Sequence, residues 1–334
     1  MFAPVLMRSL DRIGHNPAGD FGRFPGKRAV WPMILAAMIL ASTLPADMAW
    51  AEEQYAMSEQ IESIAVNDIR IAYREFGPEE MVKVPEVPLL MIMGYGGLMD
   101  MWPPAAIVPL ARERRVIVFD NRGMGFSTSS DREYSIELFA EDTAKLLDAL
   151  GIVKAHVLGW SMGTFIAQEL ALRNPERVGR LILLAGSCGG AEAIWPGDEV
   201  WRSMTDFSGT LEERVQRMFS NLFPGSWLAE NTDPSKYFPL ITAPVVDENL
   251  MRQAETLKRW GGSRSRLSKF TAATLIVTGM QDSVILPANA DLMAEAIPKA
   301  TVVRFQDGGH GFFFQYPEAT ADQVNSFLKE SQKR

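Results

Sequence analysis

The stretch Ala155-His-Val-Leu-Gly-Trp-Ser-Met-Gly163 ends in the five-residue pattern Gly-x-Ser-x-Gly. A short apolar run at 155–158 comes before the pattern, and a helix-compatible segment at 164–173 follows it. This order predicts a strand, a sharp turn that carries Ser161, and a helix. The two glycines suit such a turn because side chains at their positions would collide with neighbouring backbone. The start of the helix adds partial positive charge beside the serine hydroxyl, which favours an anion formed when that hydroxyl attacks.

The rest of the chain alternates apolar runs with helical patterns. One pattern, at 135–150, has apolar side chains on one side and Ser135 as its predicted N-cap. The segments 61–66 and 69–76 are joined by Asn67-Asp68 and predict a hairpin at the edge of a sheet. Uninterrupted apolar runs are typical of a buried parallel sheet, so we expect an α/β fold with a mostly parallel sheet flanked by helices. These runs lie at 89–93, 116–119, 156–158, 181–184, 275–277 and 301–305.

One long segment, 187–270, interrupts this alternation. It contains no convincing strand, and helix-compatible stretches such as 211–223 run through it. We interpret it as a helical cap inserted into a core formed by 52–186 and 271–334, and as an apolar lid over Ser161. We expect most of its large aromatic rings to pack the insert onto the core and a few to face the site. The rings are Trp195, Trp201, Phe207, Phe219, Phe223, Trp227, Tyr237, Phe238 and Trp260.

The amino-terminal 51 residues have the pattern of an export signal. Residues 1–28 carry five cationic side chains, and 29–44 form an apolar run without charge. That run is shorter than the roughly 18 to 20 residues that a membrane-spanning helix needs. Ala49-Trp50-Ala51 has the small-x-small pattern of a signal peptidase site. We therefore predict cleavage before Glu52 and a periplasmic or secreted protein without stable membrane association. The alternatives are an uncleaved membrane anchor and a mis-assigned start codon.

The composition indicates a globular protein, because 22% of its residues are charged and 47% are hydrophobic. The net charge of -8 and the absence of a Lys/Arg-rich run argue against a nucleic-acid partner. Cys188 is the only cysteine, so the chain can form no internal disulfide and no cysteine-based zinc site. We interpret Cys188 as a buried structural thiol. We expect a small-molecule substrate, no cofactor, no metal, and a monomer or small homo-oligomer.

A serine hydroxyl needs a base that takes its proton, and two histidines follow the signal segment. His156 lies five residues before Ser161 on the same predicted strand. At about 3.3 Å per residue, this spacing places it some 16 Å away. His310 lies in Asp307-Gly-Gly-His-Gly311, directly after the last predicted strand. Loops that follow parallel strands meet at one edge of a sheet, and His310 is therefore the predicted base.

A carboxylate must orient the histidine, and in this kind of fold it lies between the serine and the histidine in the sequence. Asp282 follows the predicted strand 274–278 at the same sheet edge. Its alternative role is to cap the next turn. Asp307 is the competing carboxylate, but it lies only three residues before His310, and we expect it to shape that loop.

Backbone N–H groups are the predicted oxyanion donors. One is the N–H of Met162, and the other is the N–H of Tyr95 in the glycine-rich loop 93–97. A second glycine-rich loop, 120–127, lacks the Lys-Ser/Thr ending of a P-loop and the spacing G-x-G-x-x-G. We assign Asp120 and Arg122 in that loop a structural role.

Together these residues resemble the α/β-hydrolase superfamily from about residue 58 to the carboxyl terminus. The resemblance implies an eight-stranded sheet, the triad Ser161, Asp282 and His310, and a cap between strands six and seven. Many members have His-Gly where this chain has Met93-Gly94, a departure similar to some small esterases and methylesterases. Relatives with an aspartate nucleophile, the haloalkane dehalogenases and epoxide hydrolases, differ from it at Ser161. The motifs are Met93-Gly-Tyr-Gly-Gly97, Asp120-Asn-Arg-Gly-Met-Gly125, Gly159-Trp-Ser-Met-Gly163, Asp282 and Gly309-His310-Gly311.

Three classes of function follow from this resemblance. The first is a serine hydrolase that cleaves a carboxylic ester, thioester or lactone through an acyl intermediate on Ser161. The second is another reaction of the same triad, as in an aminopeptidase, a C–C bond hydrolase or a cofactor-free perhydrolase. The third is a ligand-binding receptor that retains the triad.

Overall fold

The computed structural model describes residues 60–77, 87–238 and 243–329. The predicted export signal, 1–51, lies outside these residues. A single eight-stranded sheet has the order β1-β2-β4-β3-β5-β6-β7-β8, in which β2 pairs antiparallel with β1 and β4 and all other pairs are parallel. The strands are β1 (Glu62–Val66), β2 (Ile69–Phe76), β3 (Leu89–Ile92), β4 (Val116–Phe119), β5 (Ala155–Trp160), β6 (Val178–Leu184), β7 (Ala273–Gly279) and β8 (Ala300–Phe305).

Burial explains the apolar runs. Every residue of β3 and β4 is buried, as a strand covered by helices on both faces requires. The edge strand β8 is different, because none of its side chains is fully buried. At the opposite edge, β1 and β2 form the predicted hairpin, and Val66 pairs with Ile69 across a turn in which Asn67 has a φ of 50°. Asparagine tolerates this left-handed conformation better than most residues.

Ten α-helices flank the sheet or lie between its strands in the part of the chain that the structure describes. The predicted helix at 135–150 begins where Ser135 Oγ accepts a hydrogen bond from Leu138 N at 3.0 Å. None of the described helices is long and apolar enough to cross a membrane. The helices are α1 (Pro104–Ala111), α2 (Ile136–Ala149), α3 (Met162–Arg173), α4 (Asp198–Thr205), α5 (Leu211–Leu222), α6 (Gly225–Glu230), α7 (Asp247–Arg259), α8 (Ala288–Ala296), α9 (Phe312–Gln315) and α10 (Pro317–Lys329).

Helices α4 to α7 lie between β6 and β7, and no described residue between these two strands belongs to a strand. We refer to 187–270 as the insert. Aromatic contacts join it to the sheet domain at two places. Phe238 lies 4.2 Å from Phe314 between ring centroids, and Trp260 stacks on Phe165 at 4.6 Å. These rings bury apolar surface between the insert and the core.

A buried charge adds to the second of these contacts. Glu169 on α3 has a fully buried side chain and accepts hydrogen bonds from Trp260 Nε1 at 3.0 Å and from the Arg266 guanidinium. Arg173 also donates to it at 3.1 Å. Burial is the largest single influence and raises the pKa of Glu169, but these donors together hold the pKa below its usual value. The helix that follows Ser161 is therefore held to the insert by hydrogen-bonded charges.

Candidate active site

Ser161 occupies a strained turn between β5 and α3. Its φ of 54° and ψ of -121° lie outside the regions that residues with a side chain usually adopt. A Cβ at Gly159 would lie 2.3 Å from the carbonyl oxygen of Gly163, and one at Gly163 would lie 2.1 Å from the carbonyl oxygen of Ile92. Neither position has room for a side chain, which is the reason for the glycine pattern.

The structure brings the three predicted side chains together. His310 Nε2 lies 2.9 Å from Ser161 Oγ, and His310 Nδ1 lies 2.8 Å from Asp282 Oδ2. All three residues are buried, with 6% of Ser161 exposed. When Nδ1 carries the ring proton and donates it to Asp282, Nε2 is free to accept the hydroxyl proton of Ser161.

The second oxygen of Asp282 is also occupied. Oδ1 accepts hydrogen bonds from Val284 N at 2.8 Å and from Ile285 N at 2.9 Å. Asp282 therefore caps the turn after β7 with one oxygen and binds His310 with the other. The competing carboxylate of Asp307 is exposed and accepts a hydrogen bond from Gln281 Nε2 at 3.4 Å.

Two side chains that the sequence did not single out hold the loop of His310. Trp160 Nε1 donates to the carbonyl oxygen of His310 at 3.0 Å, and the two rings lie 5.2 Å apart. Gln315 Oε1 accepts from Gly309 N at 2.7 Å. No local pattern identifies the first contact, because His310 lies 150 residues from Trp160 in the chain. The second contact joins residues only six positions apart.

His156 is far along β5 from the turn, as its position in the sequence requires. Its Nδ1 is buried and has no hydrogen-bond partner among the described residues. Burial lowers the pKa of His156 to about 4, and the nearby charges of Arg114 and Arg180 act in the same direction. It is therefore neutral at physiological pH.

The glycine-rich loop at 93–97 packs directly on Ser161. A Cβ at Gly94 would lie 2.9 Å from the Cβ of Ser161. In this loop Gly96 N donates to Gln253 Oε1 at 3.0 Å, and Gly97 N donates to Gly94 O at 3.1 Å. Both N–H groups that follow Tyr95 are thus engaged elsewhere, and the N–H of Tyr95 remains the predicted oxyanion donor. Gln253, in α7 of the insert, is fully buried.

Asp120 and Arg122 hold neighbouring loops in place. Asp120 accepts hydrogen bonds from Met99 N at 2.8 Å and from Phe126 N at 2.9 Å, and burial raises its pKa to about 6. The fully buried Arg122 guanidinium donates to Asp142 at 2.8 Å and to Asp68 at 2.8 Å. Both residues bind protein atoms, in agreement with a structural role.

Cys188 is also buried within the protein. Burial raises the pKa of its thiol, which disfavours the reactive thiolate. These observations agree with the interpretation of Cys188 as a structural residue.

A cavity of about 250 Å³ opens onto Ser161 and His310. Its apolar wall includes Met101, Trp160 and Leu250. The insert contributes apolar side chains to this wall, such as Met204, Phe207 and Met218, and Phe207 is the one of its nine large rings among the described lining residues. Helices α4 and α5 and the turn between them also contribute polar side chains, which are Ser203, Asp206, Arg214, Arg217 and Asn221.

Comparison with known proteins agrees with this architecture. A sequence model described as alpha/beta hydrolase fold matches residues 87–317. The chain belongs to the α/β-hydrolase family. A solved structure of a hydrolase from Pseudomonas aeruginosa PA01 superposes with a TM-score of 0.69 and 28% identity, over 81% of this chain and 98% of the other.

Several proteins that are similar in sequence to this chain are named as hydrolases of different substrates. RutD from Azorhizobium caulinodans, whose name describes a carbamate hydrolase, is 30% identical over 73% of this chain and 91% of its own length. A 2-hydroxymuconate semialdehyde hydrolase from Pseudomonas sp. is 29% identical over 73% of this chain and 87% of its own. The pimeloyl-[acyl-carrier protein] methyl ester esterase from Aeromonas hydrophila is 28% identical over 72% of this chain and 94% of its own. Hydrolase chemistry is common to these names, and the bond that is cleaved is not.

Proposed function

We propose that this protein is a serine hydrolase that cleaves a carboxylic ester, or a related lactone or thioester, through an acyl intermediate on Ser161. The observation that carries the proposal is the continuous hydrogen-bonded chain from Ser161 through His310 to Asp282. Ser161 and His310 line a cavity that has room for a small ligand. Similarity to a methyl ester esterase over 94% of that relative's length supports the choice of an ester.

In the proposed reaction, Ser161 Oγ attacks the ester carbonyl carbon while His310 Nε2 takes the hydroxyl proton. The N–H groups of Met162 and Tyr95 stabilise the negative charge that develops on the carbonyl oxygen. Asp282 stabilises the positive charge on the imidazolium. When the C–O bond breaks, His310 returns the proton to the leaving alcohol, and the acyl group stays on Ser161.

Water completes the cycle. His310 takes a proton from a water molecule, whose oxygen attacks the acyl carbon. Collapse of the second tetrahedral intermediate releases the carboxylic acid and restores the proton to Ser161 Oγ. These residues require no metal or cofactor for either step.

A second candidate within the same family is hydrolysis of a C–C bond. The 29% identical relative from Pseudomonas sp. is named for a semialdehyde substrate rather than for an ester. Simple aryl esters distinguish the two candidates. An esterase is expected to turn them over many times, whereas a hydrolase specific for a C–C bond is expected to turn them over poorly.

The test uses a series of p-nitrophenyl esters from acetate to octanoate together with a fluorophosphonate probe. We expect turnover that rises with chain length to about butyrate or hexanoate and then falls, and a probe adduct on Ser161 identified by mass spectrometry. Burial of each added CH₂ gives about a fourfold gain in kcat/KM while the cavity has room. Ser161→Ala is the control and should lower turnover by roughly 10⁴ or more while the protein stays folded.

The result also separates the remaining alternatives. Single-site labelling without turnover of any ester would contradict the proposal and leave a C–C bond hydrolase and a receptor as the alternatives. Turnover that survives within tenfold in Ser161→Ala would exclude Ser161 as the nucleophile. A flat profile across chain length would place substrate selection on the leaving-group side.

A further inference from the structure

One face of helix α5 carries a row of apolar side chains. Leu211, Val215, Met218 and Leu222 follow one another at spacings of four, three and four residues, which places them on the same side of the helix. Val215, Met218 and Leu222 belong to the wall of the Ser161 cavity. Leu211 lies one turn before Val215 on that side, and it is 44% exposed. We call these four residues the α5 row.

The inner end of the α5 row lies at the loop of His310. Leu222 is buried and is part of the same cavity wall as Ser161 and His310. Its carbonyl oxygen accepts a hydrogen bond from Gly311 N at 2.8 Å, and Gly311 directly follows His310 in the chain. The α5 row therefore begins beside the proposed base.

The outer end of the α5 row is open to solvent. Val245 belongs to the cavity wall, yet 46% of it is exposed, which places it at the mouth of the cavity. Val246, the next residue, is exposed as well and precedes α7. Asp247 at the start of α7 binds Arg214 in the first turns of α5 at 2.7 Å, so the two helices begin close together. We call Leu211, Val245 and Val246, the exposed apolar side chains of these two helix starts, the rim.

The polar side chains that the insert adds to the wall are engaged with other groups of the protein. Each of the two arginines of α5 in the wall has a carboxylate as its neighbour, and the asparagine donates to a serine. A ligand along this side of the cavity therefore meets apolar surface and charges that are already balanced. The pairs are Arg214 with Asp247, Arg217 with Asp206, and Asn221 with Ser203.

The α5 row is long compared with a short acyl chain. Leu211 and Leu222 are separated by about 16 Å along the helix axis, at 1.5 Å per residue. In the proposed function the gain from a longer acyl chain ends at about butyrate or hexanoate. The length of the row thus leaves apolar wall for another part of the ester.

The order of the two steps of the reaction favours the alcohol for this place. The alcohol leaves first, and water then attacks the acyl carbon on Ser161. A group that departs before water enters is best placed toward the mouth of the cavity, because the acyl group stays bound to Ser161 at that time. An apolar alcohol on the α5 row can leave past the rim without displacement of the acyl group.

We propose that the α5 row and the rim bind the alkyl group of the alcohol part of the ester. The substrate class is an ester of a short acid with a long-chain apolar alcohol, and Leu211 and Met218 are specificity-determining residues. This inference rests on the proposed function, because it names the substrate class of the same cavity. Burial of each CH₂ against apolar wall gives about a fourfold gain in kcat/KM, so esters of longer alcohols should be the better substrates.

The test measures two ratios of kcat/KM, with every ester kept below its solubility limit. The alcohol ratio compares octyl acetate with butyl acetate, followed by release of acetate. The acyl ratio compares p-nitrophenyl octanoate with p-nitrophenyl butyrate, which share the leaving group. We expect an alcohol ratio of about tenfold or more and an acyl ratio at or below one.

Three variants carry the same new side chain. Leu211→Gln and Met218→Gln each place a polar group on the α5 row and keep a residue that favours a helix. Each is expected to lower the alcohol ratio by about fivefold, with little change in the acyl ratio. Met251→Gln is the matched control, because Met251 is an exposed methionine of α7 outside the described cavity wall. Both of its ratios should stay unchanged.

Several results would overturn the proposal even though esters are hydrolysed. One is an alcohol ratio near one in the unaltered protein, and another is a ratio that both row variants leave within twofold. A loss in Met251→Gln as large as in Leu211→Gln would show that the α5 row has no special part in selection. Loss of the acyl ratio instead of the alcohol ratio in the row variants would place the acyl chain on the row.

Failure of the proposed function gives a different result, which is the absence of Ser161-dependent turnover for every ester. Thermal unfolding identifies a variant that does not fold. Leu211→Gln, at an exposed position, then decides the question.

Discussion

The indole of Trp160 holds the backbone of His310: Nε1 donates to the carbonyl oxygen of His310 at 3.0 Å, and the two rings lie 5.2 Å apart. Trp160 is the residue directly before Ser161. One side chain at the end of β5 thereby joins the turn of the proposed nucleophile to the loop of the proposed base. The distance between Ser161 Oγ and His310 Nε2 depends on this contact as well as on the hydrogen bond between them.

Trp160→Phe should lower kcat for a p-nitrophenyl ester by about tenfold. The ring still packs against Phe313, but the buried carbonyl of His310 loses its donor, which costs about 1 to 3 kcal/mol and loosens the loop. The matched control is Trp195→Phe, which removes an indole donor to Gly190 O outside the cavity. Equal effects of the two variants on kcat would contradict the positioning role of Trp160.

Asp282→Asn is expected to lower kcat by about 10⁴, because the amide no longer stabilises the ring tautomer that accepts the proton of Ser161. Asp307→Asn is the control, since Asp307 is the other acidic residue near the His310 loop and its carboxylate binds Gln281. It should retain activity within threefold. If Asp307→Asn proved the more damaging of the two, the assignment of the carboxylate would be wrong. Steady-state kinetics on one ester decide between them.

His156→Gln tests both the choice of base and a pH effect on stability. The pKa of His156 is about 4 in the folded protein and about 6.5 when exposed, so the unfolded chain binds the proton more tightly. The free energy of unfolding should therefore fall as the pH drops from about 6.5 to 4, by up to about 3 kcal/mol. The variant should lose this part of the pH dependence while ester turnover stays within threefold.

Urea unfolding of both proteins between pH 4 and pH 7.5 measures this contribution. His310→Gln provides the comparison for activity, because it should abolish turnover. An acid sensitivity that is identical in the His156→Gln variant would show that His156 is not the group responsible. Greater loss of turnover in His156→Gln than in His310→Gln would refute the choice of base.

Gln253→Met should lower kcat by about tenfold with little change in KM. Gln253 Oε1 holds Gly96 N at 3.0 Å, and its loss frees the loop that carries Tyr95 N. An oxyanion donor acts chiefly in the transition state, so displacement of that donor affects kcat more than substrate binding. Gln216→Met, at an exposed position of α5, is the control for a glutamine change in the insert. A rise in KM without a fall in kcat would indicate a substrate-binding role instead.

Export remains a prediction from the sequence. When the full chain is expressed in a bacterial host, we expect a periplasmic or secreted product whose first residue is Glu52, because signal peptidase cuts after small-x-small patterns. Intact-mass measurement of the exported fraction gives the amino terminus directly. Ala51→Asp should block processing and serves as the control. A full-length product found only in the cytosol would contradict export, and a full-length product in the membrane fraction would favour the anchor.

Much of the fold and of the proposed triad could be predicted from short stretches of the sequence. The turn at Ser161 needs glycines on both sides because Gly159 and Gly163 each approach backbone more closely than a Cβ allows. Such a constraint leaves a recognisable pattern within five residues. His310 and Asp282 followed from their places after predicted strands, because parallel strands bring the loops at their carboxyl ends to one edge.

The side chains that line the cavity could not be predicted from short stretches of the sequence. Most large rings of the insert pack on the core, as Phe238 and Trp260 do, and the insert lines the cavity chiefly with smaller apolar side chains and with polar ones such as Arg217. A sequence shows which side chains are available and not which face of a helix meets the site.

The sequence by itself determined the α/β architecture, the place of Ser161 and the identity of its predicted partners, since each depends on local backbone geometry or on strand order. Only the tertiary structure decided that Gln253 holds Gly96, that Trp160 holds His310, and that Arg217 faces the cavity. The first two contacts join residues 157 and 150 positions apart. Such contacts depend on how helices of the insert and loops of the core pack, and side-chain packing over these separations leaves no periodic signal in the chain.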